Sequence, residues 1–265
     1  MPIRSWRAQG YWIRRCLVAL ALPIMAGTPA YAETLLVYGD DSYPPILYSG
    51  ADGQPTGVLA DILRKVSERT GDTYELQLFP WKRAYERART GHAAIVGISR
   101  NSERLAQFDF SDPLYFDDIQ IVVKKGQEFP FGQLSDLKGK TVGGVLGASY
   151  GEVVDAAIRD GLFKVDQDVG QRGRLHKVLL GRVNAALIGN GTEGFDMVLR
   201  SDPELQARRG DFLILGTPLT RDLLHLAAAK SMNKKALIER FNQALRDLQK
   251  PVTAKTLAKE TTAKK

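Results

Sequence analysis

Arg100 and Arg104 stand in ISRNSERLAQFDFSDPLY, residues 98–115, just after an apolar run that reads as a buried strand. Residues that follow the C-terminal end of a parallel strand lie at the crevice where open α/β sheets bind ligands. A guanidinium there offers a planar fork of donors that matches the two oxygens of a carboxylate. Arg104 is therefore a candidate carboxylate anchor. The structural alternative pairs it with Asp109 or Asp112, and Arg100 is expected to be a solvated charge. A second place for an anion is Gly147-Ala148-Ser149, ahead of a predicted helix. Free backbone N–H groups and the positive helix end attract anions there, and the Ser149 hydroxyl either joins them or caps its own helix. Asp40, in the turn-rich GDDSYPP, could receive a cationic group or close its own turn.

Other chemistries lack their residues. His92, His176 and His225 fall on three predicted elements with no HxxxH spacing, so no metal site is expected. There is no G-x-S-x-G elbow, no P-loop and no G-x-G-x-x-G after a strand, and no cofactor is expected. The one cysteine, Cys16, lies in the first 32 residues. Those residues have the layout of a secretory signal: Arg4, Arg7, Arg14 and Arg15, an apolar stretch from Leu17 to Ala26, and an Ala30-Tyr31-Ala32 cleavage site. The apolar stretch, interrupted by Pro23, falls short of the roughly 20 residues that cross a bilayer. Cleavage after Ala32 is expected, giving a mature chain that begins at Glu33, holds no thiol and resides in the periplasm.

The charge of +7 largely disappears with the ends. The signal removes four arginines and the tail from Lys250 carries five lysines against Glu260, which leaves residues 33–249 at −1. A nucleic-acid partner is thereby excluded, and residues 251–265 read as a basic, frayed tail.

The elements that must position these residues follow an α/β grammar. A strand at Leu35 to Tyr38, a helix with Val58, Leu59, Ile62, Leu63 and Val66 on one stripe, an alternating strand from Tyr74 to Phe79, a helix from Trp81 and a strand from Ala93 to Ile98 make βαβαβ. After a strand at Ile119 to Val123 the grammar restarts. Strands at 141–145, 185–188 and 212–215 alternate with helices near 150–159, 175–180 and 195–200. A last strand, His225 to Ala229, and a helix from Lys234 to Gln249 are too short for a third unit and are expected to return to the first. The expected division is 33–124 plus 219–250 for one lobe and 125–218 for the other. Crossings near 124–126 and 216–220 would then form a hinge over a cleft.

Six segments in one order, SYPPI, GVLADIL, PWKRAYERARTG, ISRNSERLAQFDFSDPLYFDD, DLKGKTVGGVLGASYG and LLGRVNAALIGN, resemble the bacterial extracytoplasmic solute-binding proteins of family 3, the polar amino-acid-binding group. The resemblance runs from about Glu33 to Leu248. It implies the two-lobed type II periplasmic binding protein fold, α/β, each lobe a mostly parallel sheet flanked by helices and joined by a two-strand hinge. It implies a monomer that closes on a small carboxylate-bearing, amino-acid-like solute and delivers it to an inner-membrane ABC permease. A membrane sensor is the alternative partner, and a dehydratase of cyclic carboxylic acids, with Glu152 or Glu193 as its acid, is the alternative class. By the same resemblance Arg104 binds the ligand carboxylate with Ser99 beside it, Tyr43 lays a ring over the ligand, and Trp81 is the second aromatic wall or a core residue.

The chain departs from that pattern at one position. Family members that bind α-amino acids carry an aspartate where LLGRVNAALIGN has Gly189, and its carboxylate receives the ligand ammonium. A buried ammonium without a counter-charge is costly. Either Asn190, Glu193 or Asp40 substitutes, or the ligand has no α-ammonium.

Overall fold

The computed structural model describes residues 32–249; the expected signal segment up to residue 31 and the basic tail 251–265 lie outside the described residues. The chain opens with β1 (Thr34–Asp40), a small antiparallel sheet of β2 (Ser42–Tyr43), β3 (Leu47–Ser49) and β4 (Pro55–Thr56), and then α1 (Val58–Thr70). In α1 the buried residues Leu59, Leu63 and Val66 share one face, as the spacing predicts. The helix stops where Gly71 takes φ 78 and donates its N–H to Ser67 O, a conformation that costs glycine little. β5 (Thr73–Phe79), α2 (Trp81–Arg89) and β6 (Ala94–Ser99) complete the expected βαβαβ, with β5 and β6 both parallel to β1. The alternation of β5 is reproduced: Leu76 and Leu78 pack on the core while Glu75 and Gln77 face solvent.

The short helix α3 (Ser102–Gln107) leads through β7 (Phe108–Phe110) into the long β8 (Tyr115–Lys124). The second unit follows as β9 (Thr141–Val145), α4 (Glu152–Arg159), β10 (Lys164–Asp168), α5 (Gln171–Leu179), β11 (Ala185–Ile188), α6 (Gly191–Arg200), α7 (Pro203–Ala207) and β12 (Phe212–Ile214). The chain returns along β13 (Thr220–Ala229) and the described part ends in α8 (Lys235–Gln249). The strands hydrogen-bond in the order β10-β9-β11-β8-β13-β6-β1-β5, with β12 on β8 and β7 on β13. Each lobe therefore holds a parallel trio plus antiparallel neighbours, because β8 and β13 carry the chain out and back and pair antiparallel with β11 and β6.

Both faces of each sheet are covered, which explains the near-continuous apolar runs. In the second lobe Ala185 and Leu187 face one core, with Ile121, Val123 and Val142. Ala186 and Ile188 face the other, with Val122, Leu175 and Phe195. In the first lobe Leu224 and Leu226 join α1 and α8 on one side, and Ala227 and Ala229 join Trp81 and Ala84 on the other. The α8 stripe buries Leu237, Phe241 and Leu245, each contributing roughly 1.5–3 kcal/mol. Leu248, three residues further along the helix, is exposed.

Apolar packing changes hands between the lobes over a short stretch. Leu114 and Leu224 belong to the first lobe's core, Ile119 and Leu219 to the second's. Between them runs a ladder in which Phe116 faces Leu223, Asp117 faces Asp222 and Asp118 faces Arg221. On the outgoing strand this transition precedes the stretch near 124–126, because Ile121 to Val123 already pack in the second lobe.

Candidate functional site

The cleft is assembled from strand ends. β1 delivers Asp40, the β2 hairpin Tyr43, the start of α2 Trp81, and the end of β6 Ser99; the second lobe brings Ser149, Gln171 and Arg174. Together with Gly189 and Asp222 these line a cavity of about 60 Å³. Direct bonds tie the lobes around it. Trp81 Nε1 donates to Gly147 O at 3.1 Å, Ser42 Oγ to Val169 O at 3.2 Å, and Asn101 Nδ2 to Ser149 Oγ at 3.2 Å. Tyr115 OH also donates to Asn190 Oδ1.

Arg104 rides on α3, whose first turn is fixed by Asn101 Oδ1 accepting from Arg104 N at 2.9 Å. Its side chain is buried, 3 % exposed, with the guanidinium 5.0 Å from the Tyr85 ring centroid and 5.7 Å from that of Trp81. It donates to Ser99 O at 3.1 Å and to Gly147 O at 3.5 Å, and forms no ion pair among the described residues, so the expected alternative with Asp109 or Asp112 is not adopted. Instead Asp112 pairs with Arg246 and Asp109 approaches Lys235. Burial pulls the guanidinium pKa below its usual value. Arg104 does not line the central cavity. It lines the adjoining groove with Tyr85, Asn101 and Asp155, and the two hollows share Val145, Ala148, Ser149 and Tyr150 as a common wall. Arg100 is exposed, lies over Phe110 and donates to Ser111 O at 2.9 Å.

The remaining candidates also serve local structural roles. Asp40 lines the cavity and also closes its own turn, accepting from Ser42 N at 3.0 Å; burial pushes its carboxyl up to about 7. Trp81 is both core and cavity wall. Ser149 lines the cavity, yet its hydroxyl donates to Asp155 Oδ2 at 2.5 Å and accepts from Gly151 N at 3.3 Å, a local turn-closing role. Ser99 donates to Asp222 Oδ2 at 2.5 Å. Asn190 stands off the cavity as the left-handed residue (φ 58) that starts α6, bonded to Tyr115 and Glu193. Glu193 and Glu152 lie outside the cavity as well; Glu152 accepts from Ser102 N at 2.9 Å.

Asp117, Asp222, Gln171 and Arg174 are additions from the structure. Arg174 is 2 % exposed and paired with Asp168 at 2.9 Å, and Gly143 leaves room for it: a Cβ there would sit 2.5 Å from Arg174 Cγ. Asp117 is fully buried, accepts from Asn190 N at 2.5 Å and from Tyr43 OH, and burial raises its carboxyl to about 7. Burial likewise raises Asp222 to about 6, with the Ser99 hydroxyl acting against the shift. The absent side chain at Gly189 leaves no gap. A Cβ built there would lie 2.4 Å from Tyr43 Cε2 and 2.8 Å from Asp117 Oδ2. No motif marks Asp222, and Asp117 falls in an FDD run with no chemical signature of its own.

Comparison with known proteins agrees with this architecture. The L-cystine-binding protein TcyJ of Escherichia coli (strain K12) is 26% identical over 229 residues, 86% of this chain and 82% of that one. A probable amino-acid ABC transporter-binding protein of Haemophilus influenzae (strain ATCC 51907 / DSM 11121 / KW20 / Rd) is 25% identical, covering 86% of this chain and 84% of its own. Among solved structures, a histidine kinase sensor domain with similarity to periplasmic binding proteins superposes with TM-score 0.69 at 21% identity, over 82% of this chain and 90% of that one. Residues 35–261 match the sequence pattern of a single family, and with its cleft between two α/β lobes the chain belongs to the bacterial extracellular solute-binding proteins, family 3.

Proposed function

We propose that this solute-binding protein captures a small, carboxylate-bearing, amino-acid-like solute between its lobes and presents it to an ABC permease in the periplasm, after removal of residues 1–32. The observation that carries the reading is Arg104. A desolvated guanidinium that donates to two backbone carbonyls, lies over two aromatic rings and forms no ion pair among the described residues has an unmet preference for an anion. The cavity, at about 60 Å³, is well below the ~300 Å³ of an ordinary ligand pocket, so admission of a solute needs the lobes to part. We place the hinge at the ladder 116–118 and 221–223, where neither core holds the strands, and the solute-bearing species is a monomer.

The test is Arg104→Lys and Arg104→Ala against the polar L-amino acids and L-cystine by calorimetry. Loss of the bidentate fork should weaken binding at least ~30-fold with the circular dichroism spectrum unchanged. Unchanged affinity in both variants rules the anchor out. The likeness to a kinase sensor domain favours one further reading, in which closure is reported to a membrane sensor; stimulation of permease ATPase activity by the loaded protein argues for import, and its absence for sensing. Relatives named as binding proteins support a role without turnover, which incubation with cyclic carboxylic acids and chromatography of the products checks.

A further inference from the structure

Position 189 and the hinge ladder belong to one piece of chemistry. Asp117 and Asp222 face each other directly across β8 and β13, the first buried and the second half-buried. Like charges placed so are destabilising, and a cation between or beside them removes the penalty. Asp117 Oδ2 lies where the first atoms of a side chain at 189 would be, held there by Tyr43 OH and Asn190 N. Two oxygens accept more bonds than these two, so capacity remains.

The cavity wall itself points to a donor-bearing guest. The donors of Tyr43, Trp81, Ser99, Ser149 and Arg174 are all committed to protein acceptors. What remains open is acceptor capacity. Gln171 lines the cavity from the second lobe, is 4 % exposed, and its buried Oε1 has no hydrogen-bond partner. An amide oxygen left so carries its full desolvation penalty unless a ligand N–H reaches it.

We propose that Asp222, backed by Asp117 at the centre of the hinge ladder and sharing the cavity with Gln171 Oε1, binds the ligand's ammonium group in place of a carboxylate at position 189. This rests on the cleft being the solute site. It assigns the ligand an amine, against the expectation that Gly189 removes that requirement. It also puts the charge contact on the two strands that bend, so the group that neutralises the aspartates tightens the ladder between the lobes.

The experiment titrates the protein at pH 8 with polar L-amino acids and L-cystine, each beside its 2-oxo or 2-hydroxy counterpart. The amine-bearing member should bind at least ~30-fold tighter. Asp222→Asn should bring it down to its counterpart, whereas Arg104→Lys should weaken both alike. Should Asp222→Asn not fold by circular dichroism, Gln171→Leu serves, with a smaller loss confined to the amine-bearing member. Equal affinity for both members in the wild type, or an amine preference that survives the substitution, overturns the hinge assignment while a matched loss in Arg104→Lys keeps the cleft reading. Binding of neither set overturns both, whereas unchanged affinity in Arg104→Lys and Arg104→Ala overturns the anchor alone.

Discussion

Three carboxyls, Asp40 and Asp117 buried and Asp222 half-buried, give the site a defined pH response. Their folded values near 7, 7 and 6 lie above the unfolded value of 3.8, chiefly through burial. The native state thus keeps protons that the unfolded chain has released, and stability falls as pH rises from about 4 through 7. The charges facing them set the detail: Asp41 and Arg174 act on Asp40, Asp118 and Asp222 on Asp117, and Arg104 and Asp155 on Asp222. Urea denaturation at pH 5 and pH 8 should show the ligand-free protein more stable at the lower pH, and Asp117→Asn should flatten the difference. Gly189→Asp, which restores the usual family residue, should abolish binding and destabilise the fold by roughly 1–3 kcal/mol, because its Cβ meets the Tyr43 ring at 2.4 Å. Calorimetry and thermal melts of that variant read both effects. Arg104, Asp40 and Trp81 stood out in the sequence because each sits by a strand end or helix start that a periodic pattern marks, whereas Ser99 and Tyr43 stood out only through the family resemblance. Asp117, Asp222 and Gln171 were not, since their roles arise from strand register and from which atoms other residues leave unbonded.

Elements with strong periodicity were legible for a physical reason. α1, β5 and α8 each bury one face and wet the other, so residue types alternate with the period of the element. β10 was missed because KVDQD alternates weakly and its faces are only partly buried; the first half of β13 was missed because its polar residues lie on the ladder between the lobes. Phe241 is fully buried on α8 and meets Tyr74 edge-on with centroids 5.5 Å apart. Phe241→Ala should therefore cost about 3–5 kcal/mol, read as a lower urea midpoint with an unchanged slope. Asn101→Ala removes the α3 cap at about 1 kcal/mol and also the bonds from Nδ2 to Ser149 and Asp155. It should weaken solute binding more than it lowers stability, since Arg104 loses its orientation.

At the scale of the molecule, the proposed hinge is the one short ladder between the two lobes. Small-angle scattering with a solute verified by calorimetry should show compaction on saturation, and a hinge-stiffening pair of cysteines across 116 and 223 should slow both entry and release. The far end of the first lobe carries a further consequence. Glu33 N donates to buried Asp72 at 2.9 Å, while the Glu33 carboxylate binds Lys234 at 2.7 Å and Arg240 at 2.9 Å, and Arg240 reaches Asp72 at 3.1 Å. If export trims the precursor at Ala32, that amide becomes a free α-ammonium placed against Asp72, a charge which no longer precursor possesses. Maturation would then fasten β1 to α8 with an extra ionic clasp, so a polypeptide starting at Glu33 should melt several degrees above one carrying two additional leading residues.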